Sequence, residues 1–567
     1  MPDGRPPVGG TTTIRPEREL IVVAEVSARL TATATGLEAP GAQSAADELS
    51  AVLAAEDVIL EPLFLPNEEA HRARAYAAAS PEQARIEMDL ASFYRVRAED
   101  GRLDDLAARL REAPLVAAAY VKPPTEPATL TIEDTRDELR RESPSATPDF
   151  TVRQGYLGPA PGGVEAIWAA AQPGGRGDGV GVVDVEGEWR FTHEDLAHNA
   201  GGLLAGAPAN DLGWRNHGTA VIGEIGGDEN DFGVLGIAPG AVVRGASIFG
   251  GTGSAGAIVA AANALNAGDV ILLELHRAGP RFDFEPRSDQ RGYIAIEWWP
   301  DDLAAVRYAV GRGVVVVGAA GNGAEDLDDA IYGAVPAGFP ADWRNPFDPA
   351  NPGSGAVIVG AGAPPPGTHG ANHGPDRSRL GFSNFGARLD AQGWGREVTT
   401  TGYGDLQGGA DEDSWYTDRF SGTSSASPIV VGAVAALQGM QEAAGRPRLT
   451  PARAVEVLRA TGSPQQDGPN GPASQRIGNR PDLRAAAQYL VPAATNAGVA
   501  TLYWAELVPI PAGSPRLWLF VDGGWRRLDS PSDLVTRQAQ GAFLGADSVV
   551  RAWYQGDLIV GLVVSGS

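Results

Sequence analysis

The chain has 567 residues with 71 acidic against 45 basic side chains, a net charge of −26. It therefore lacks the positive footprint that nucleic acid or an anionic membrane surface requires of a partner. It contains no cysteine, which excludes disulfides, thiolate catalysis and Cys-ligated zinc. With 43% hydrophobic and 20% charged residues and 74 glycines, the composition is globular and loop-rich, with room for about three domains. No apolar run is long enough to span a bilayer, so no membrane partner is expected. The opening "MPDGRPPVGGTTTIRPEREL" has no basic segment followed by an apolar core. As written, the chain is expected in the cytoplasm, with secretion by a non-classical route still compatible.

In chain order, "LIVVAEV" (20–26) reads as a strand, 44–55 as a helix and 57–64 as a strand. After the charged, Ala-rich stretch 67–88 come a strand at 90–98, a helix at 101–113 and a strand at 114–123. The order βαββαβ is that of a split βαβ unit, and it defines a small α+β domain over residues 1–123. Residues 124–150 are rich in Pro, Thr and charge, and read as an exposed linker with one short helix at 132–141.

From 151 to 491 the pattern becomes one of short apolar strands alternating with helices. The strands are "GVGVVDV" (179–185), "AVVRGASIF" (241–249), "DVILLEL" (269–275), "GVVVVGAA" (313–320) and "GAVIVGA" (355–361). Helices fall between them, as at 254–266 and 301–312. Continuous apolar strands separated by helices predict an α/β fold with a parallel, doubly wound sheet, whose sites lie at the C-terminal strand ends. Residues 495–567 differ again. Two hairpins, turning at Asp522-Gly523-Gly524 and Gln555-Gly556-Asp557, predict a small all-β module.

The segment "SGTSSASP" (421–428) places Ser424, Ser425 and Ser427 ahead of an apolar helix. Such serines serve as caps, but a helix N-terminus also stabilises an anion formed beside it. A nucleophilic serine needs a base, and all seven histidines precede Ser424. That order is wrong for the hydrolases built on a G-x-S-x-G elbow. His217 in "NHGTAVIGEIGG", at the start of a helical run, is the best-placed base. Asp184 ends the strand "GVGVVD", where a carboxylate is costly unless something such as a histidine uses it. Asn322 in "VVVVGAAGNG" follows another strand end and can donate to an oxyanion together with the Ser424 N–H.

The segments around these residues, "VVDVEGEWRFTHEDL", "NHGTAV", "AAGNG" and "GTSSASP", with "FSNFG" and "RPDLRAA", resemble the subtilisin-like serine proteases, or subtilases (peptidase S8 family). The resemblance spans most of 151–491 and implies a subtilisin-like catalytic domain. It implies a serine endopeptidase with Asp184, His217 and Ser424 as triad and Asn322 as oxyanion donor. A protein or peptide would be the substrate, and no cofactor would enter catalysis. A structural calcium is compatible with the family, although no ligand run marks its site. The family also carries prodomains of the βαββαβ type, so residues 1–123 would be an intramolecular inhibitor and 124–150 the processing region of a zymogen. Glu274, Leu275 and His276 fall where relatives have a Ser-Leu-Gly segment that pairs with substrate. With Ala319, Ala320 and Gly321 they would line the groove, beside an insertion at 280–300. Glu274 would then either bring charge near His217 or turn to solvent or an arginine such as Arg277 or Arg281. The alternative reading is a catalytically silent subtilase fold that binds peptides or a partner protein.

Overall fold

The computed structural model describes residues 17–33, 36–64, 68–78, 80–128, 144, 146–198, 201–490, 496–505, 516–529, 533–544 and 548–566. They form two compact units, 1–487 and 488–567.

The first unit begins with an antiparallel sheet of β1 (Glu19–Ala24), β2 (Glu61–Pro62), β3 (Phe93–Val96) and β4 (Val116–Lys122), in the order β2-β3-β1-β4. Strand alternation explains why "LIVVA" is continuously apolar. Leu20 and Val22 face α1 (Gln43–Ala55) and α4 (Leu103–Arg111), burying Leu49, Leu53, Leu106 and Leu110 with them. Ile21 and Val23 point the other way, into a second core shared with Ile258, Ala262 and Val306 of the neighbouring α/β layer. Both faces of this small sheet are thus covered. The charged stretch 67–88, which the hydrophobic pattern leaves without an element, forms α2 (Glu68–Ala77) and α3 (Pro81–Leu90). Ser80 caps α3 by accepting from the Gln83 N–H, and Pro81 starts it.

The linker expectation differs from the structure at its first residues. Thr125–Pro127 forms strand β5, and Ala128 is fully buried. The helix expected at 132–141 lies outside the described residues.

The α/β layer holds β6 (Gly181–Glu186), β7 (Leu203–Ala205), β8 (Val242–Ser247), β9 (Val270–Leu273), β12 (Val315–Ala319), β13 (Val357–Gly362) and β14 (Leu389–Trp394). They make a seven-stranded parallel sheet in the order β14-β13-β12-β9-β6-β8-β7. Helices α5 (Leu212–Gly226), α6 (Gly253–Ala264), α7 (Pro300–Gly311) and α8 (Ser427–Ala443) accompany it. Two further strands, β10 (Leu275–Ala278) and β11 (Tyr293–Ala295), leave this sheet and join β5 in a three-stranded sheet ordered β11-β10-β5. The predicted parallel, doubly wound α/β fold is present. The interruption between β9 and β10 falls on Glu274.

The second unit is a closed barrel of strands Asn496–Ala505, Arg516–Val521, Gly524–Asp529, Ser548–Gln555 and Leu558–Gly566. It is the expected β module with one helix added, Asp533–Leu544. Asp522 and Gly523 both take positive φ (47° and 77°), as the tight hairpin turn demands.

Candidate active site

Asp184 and Glu186 are two residues apart on β6 and so face the same side of the sheet. Both are fully buried at the strand's C-terminal end. His217 lies early in α5, whose start is fixed by Asp211 accepting from the Trp214 N–H at 3.0 Å. Gly218 permits the close approach, since a Cβ there would lie 2.3 Å from the Glu188 carbonyl oxygen. This places His217 Nδ1 2.8 Å from Glu186 Oε2. Asp184 instead accepts from Trp189 Nε1 at 2.7 Å. The carboxylate against the imidazole is therefore Glu186, and the expectation for Asp184 is corrected by two residues. The strand's alternation aims both carboxyls alike, and only the docking of α5 decides between them.

Asp184 Oδ1 and Glu186 Oε1 are both buried with no donor facing them. A proton held between the two carboxyls would satisfy both. Burial pushes both carboxyls well above the carboxylate range; the Glu186 charge raises Asp184 further, whereas the Asp184 hydrogen bond holds Glu186 back. Burial lowers His217 to about 4, against a smaller upward pull from Asp184. The imidazole is neutral at pH 7, with Nδ1–H on Glu186 and a buried, partnerless Nε2.

The three serines separate by what their hydroxyls do. Ser425 Oγ donates to the Trp394 carbonyl at 2.9 Å. Ser427 Oγ lies 2.7 Å from the Thr423 carbonyl and 2.5 Å from Glu274 Oε1. Ser424 Oγ, fully buried, hydrogen-bonds no backbone carbonyl and lies by the Glu274 carboxyl. Of the three, Ser424 alone spends its hydroxyl on no backbone carbonyl. Asn322 stands nearby, its Oδ1 accepting from Thr423 N at 2.9 Å and its Nδ2 donating to Gln290 Oε1 at 3.2 Å.

Glu274 follows neither course expected of it. It is fully buried, and the one proton of Ser427 cannot serve two acceptors. A protonated Glu274 resolves this, in keeping with burial pushing its carboxyl well up. Neutral, it brings no charge to His217. Arg277 reaches instead to Ser254 Oγ at 2.7 Å, and Arg281 to Glu325 at 3.0 Å. Leu275 and His276 do lie on β10, with Leu275 facing the core. Burial, and then His217, lower His276 to about 3; its Nδ1 accepts from Asn322 N at 3.3 Å. Ala319 ends β12, and Ala320 shares the Asn384 amide with Tyr293 of the insertion, at 2.7 and 2.8 Å. Gly321 donates to Thr423 Oγ1 at 3.2 Å.

The free edge of β10 is occupied by the chain itself. β5 pairs with it antiparallel, Leu275 opposite Pro127, His276 opposite Glu126 and Arg277 opposite Thr125. The next residue, Ala128, offers its carbonyl oxygen to the Ser424 N–H at 3.2 Å. A peptide carbonyl thus sits at the backbone N–H of Ser424.

The subtilase family model matches residues 192–479, half of the chain, including His217, Asn322 and Ser424. The chain belongs to the subtilase family. It is 30% identical over 283 residues to Subtilisin Savinase of Lederbergia lenta, covering 48% of this chain and 82% of that protein. The same identity and length relate it to an alkaline protease of Alkalihalobacillus alcalophilus, of which 58% is covered. Among solved structures, fervidolysin of Fervidobacterium pennivorans is similar at 17% identity with a TM-score of 0.47, covering 89% of this chain and 71% of that one. This subtilase is a serine-type endopeptidase. The family match begins past both Asp184 and Glu186, so the choice of carboxylate rests on geometry. Glu186 was legible in principle, as a second carboxylate on the same strand face just before a glycine. Among the described residues, no group of three or more His, Cys, Asp or Glu is arranged to hold a metal ion.

Proposed function

We infer that this subtilase is made as a zymogen and cuts peptide bonds with Ser424, His217 and Glu186. Ser424 Oγ attacks the scissile carbonyl carbon while His217 Nε2 takes the hydroxyl proton. The C–N bond then breaks as that proton passes to the leaving amine. Water repeats the sequence on the acyl-enzyme and restores the serine. Glu186 holds the Nδ1–H tautomer and balances the imidazolium. Asp184 positions Glu186 through the shared proton. The Ser424 N–H and the Asn322 amide receive the oxyanion.

The observation that carries this reading is the Ala128 carbonyl, 3.2 Å from the Ser424 N–H, on a segment paired with β10 as a substrate would be. It supports Ala128–Thr129 as the processing bond and the preceding domain as an intramolecular inhibitor. The grip of that domain has a polar centre. Buried Lys122, on β4, meets Asp301 and lies 3.2 Å from Asp302, both at the start of α7. Intact mass and a fluorophosphonate probe test the proposal. Wild type is expected to yield a chain beginning at Thr129 that is labelled at Ser424, and Ser424→Ala to stay whole. Processed protein that remains unlabelled would leave only a peptide-binding fold.

A further inference from the structure

We propose that Tyr293, on the insertion strand β11, is a specificity residue that selects an acidic side chain at the third position before the scissile bond. The inference rests on the reading that β5 and Ala128 occupy the cleft as substrate does. Counting back from Ala128, that third position is Glu126.

The geometry is preset by the insertion. Tyr293 is fully buried, and its ring packs on His276 with centroids 4.7 Å apart. β11 pairs with the far edge of β10, Ala278 opposite Tyr293 and His276 opposite Ala295. Its base is tied down by the Gly292 N–H to the Gly323 carbonyl at 3.0 Å. The Arg287 N–H donates to the Tyr293 hydroxyl oxygen at 3.1 Å. A phenol has one proton, and with the Arg287 N–H on its oxygen that proton goes outward. It goes to Glu126 Oε1, at 2.7 Å. Glu126 is itself buried, and a buried carboxylate is tolerated only where donors meet it. The neighbouring Gln290 adds a longer contact, 3.4 Å from its Nε2 to the Pro127 carbonyl. The groove is therefore read by residues of the 280–300 insertion, at a position where an acidic side chain accepts the phenol proton and an apolar or basic one does not.

The test uses protein expressed as the full chain and four chromogenic peptides ending in Thr-Glu-Pro-Ala, Thr-Gln-Pro-Ala, Thr-Ala-Pro-Ala and Thr-Lys-Pro-Ala. In wild type, kcat/KM for the Glu peptide should exceed that for the Ala peptide by about tenfold or more, the order set by a charge-assisted hydrogen bond in a dry site. The Gln peptide should fall between, and the Lys peptide last. Tyr293→Phe keeps the ring and removes the proton donor, so the Glu-to-Ala ratio should collapse to about one or invert. Equal rates for Glu and Ala peptides in a labelled wild type would overturn the proposal, as would a ratio that survives Tyr293→Phe. If no peptide is cut and Ser424 stays unlabelled, the protease reading falls and takes this one with it.

Discussion

Replacing Glu186 by Gln should remove most of the catalytic rate and leave the fold standing. The carboxylate sits 2.8 Å from His217 Nδ1 in a fully buried site, so an imidazolium forming there faces it directly. Two unit charges about 4 Å apart at an effective dielectric constant near 20 interact by about 4 kcal/mol, or about a thousandfold in rate. A neutral amide also lets the imidazole adopt the wrong tautomer, and the comparable substitution in another serine protease costs about 10⁴ in kcat. Glu186→Gln is therefore expected to lower kcat by about 10³–10⁴, with Tm changed little. Asp184→Asn is the matched control. Its amide can still donate to Glu186 and accept from Trp189, which holds Asp184 at 2.7 Å, so a loss within about tenfold is expected. Single-turnover rates on one peptide substrate, with Tm for each variant, decide the matter. A crippled Asp184→Asn beside a nearly intact Glu186→Gln would refute the assignment and return the orienting role to Asp184.

Other expectations follow from the same buried groups. Glu274→Gln should leave the pH dependence of kcat/KM superimposable on wild type, because a carboxyl whose burial keeps it protonated adds no charge to His217; an acidic limb displaced by more than about half a unit would show it ionised. Glu224 is buried, with neither oxygen partnered, and its pKa is raised well above the usual carboxylate value by burial and then by Glu274. The unfolded chain loses that proton above about pH 4.5 and the folded one keeps it, so this group costs stability as pH rises. The stability of Glu224→Gln relative to wild type should therefore grow between pH 5 and 8, by up to about 1.4 kcal/mol per unit in denaturant titrations. Ala128→Phe places a large side chain where the native one is fully buried and should slow self-cleavage at 128, read by intact mass over time. Lys122→Met takes the buried ammonium from Asp301 and leaves Asp302 with Arg277 alone, 3.6 Å away; inhibition by the N-terminal segment should weaken by about 10²–10³-fold, measured as residual activity against added segment.

The sequence by itself determined the layered α/β domain, because strands covered on both faces must be apolar without interruption, as "VVVV" at 314–317 is. It also singled out His217, Asn322 and Ser424 as candidates, since each lies in a short segment whose residue order is tied to one local conformation at a strand end or helix start. The two C-terminal turns were equally local, resting on backbone angles that glycine and aspartate adopt. What tertiary structure alone decided is which carboxylate meets the imidazole. Asp184 and Glu186 share a strand face, and periodicity cannot rank them; the seat of α5 does. Likewise Glu274 reads as a charged groove residue until its full burial beside Ser427 favours the neutral carboxyl. Residues 125–128 read as exposed linker because Thr, Pro and Glu are typical of one. Only the open edge of β10 and the Ser424 N–H, contributed from positions far along the chain, turn them into a buried strand.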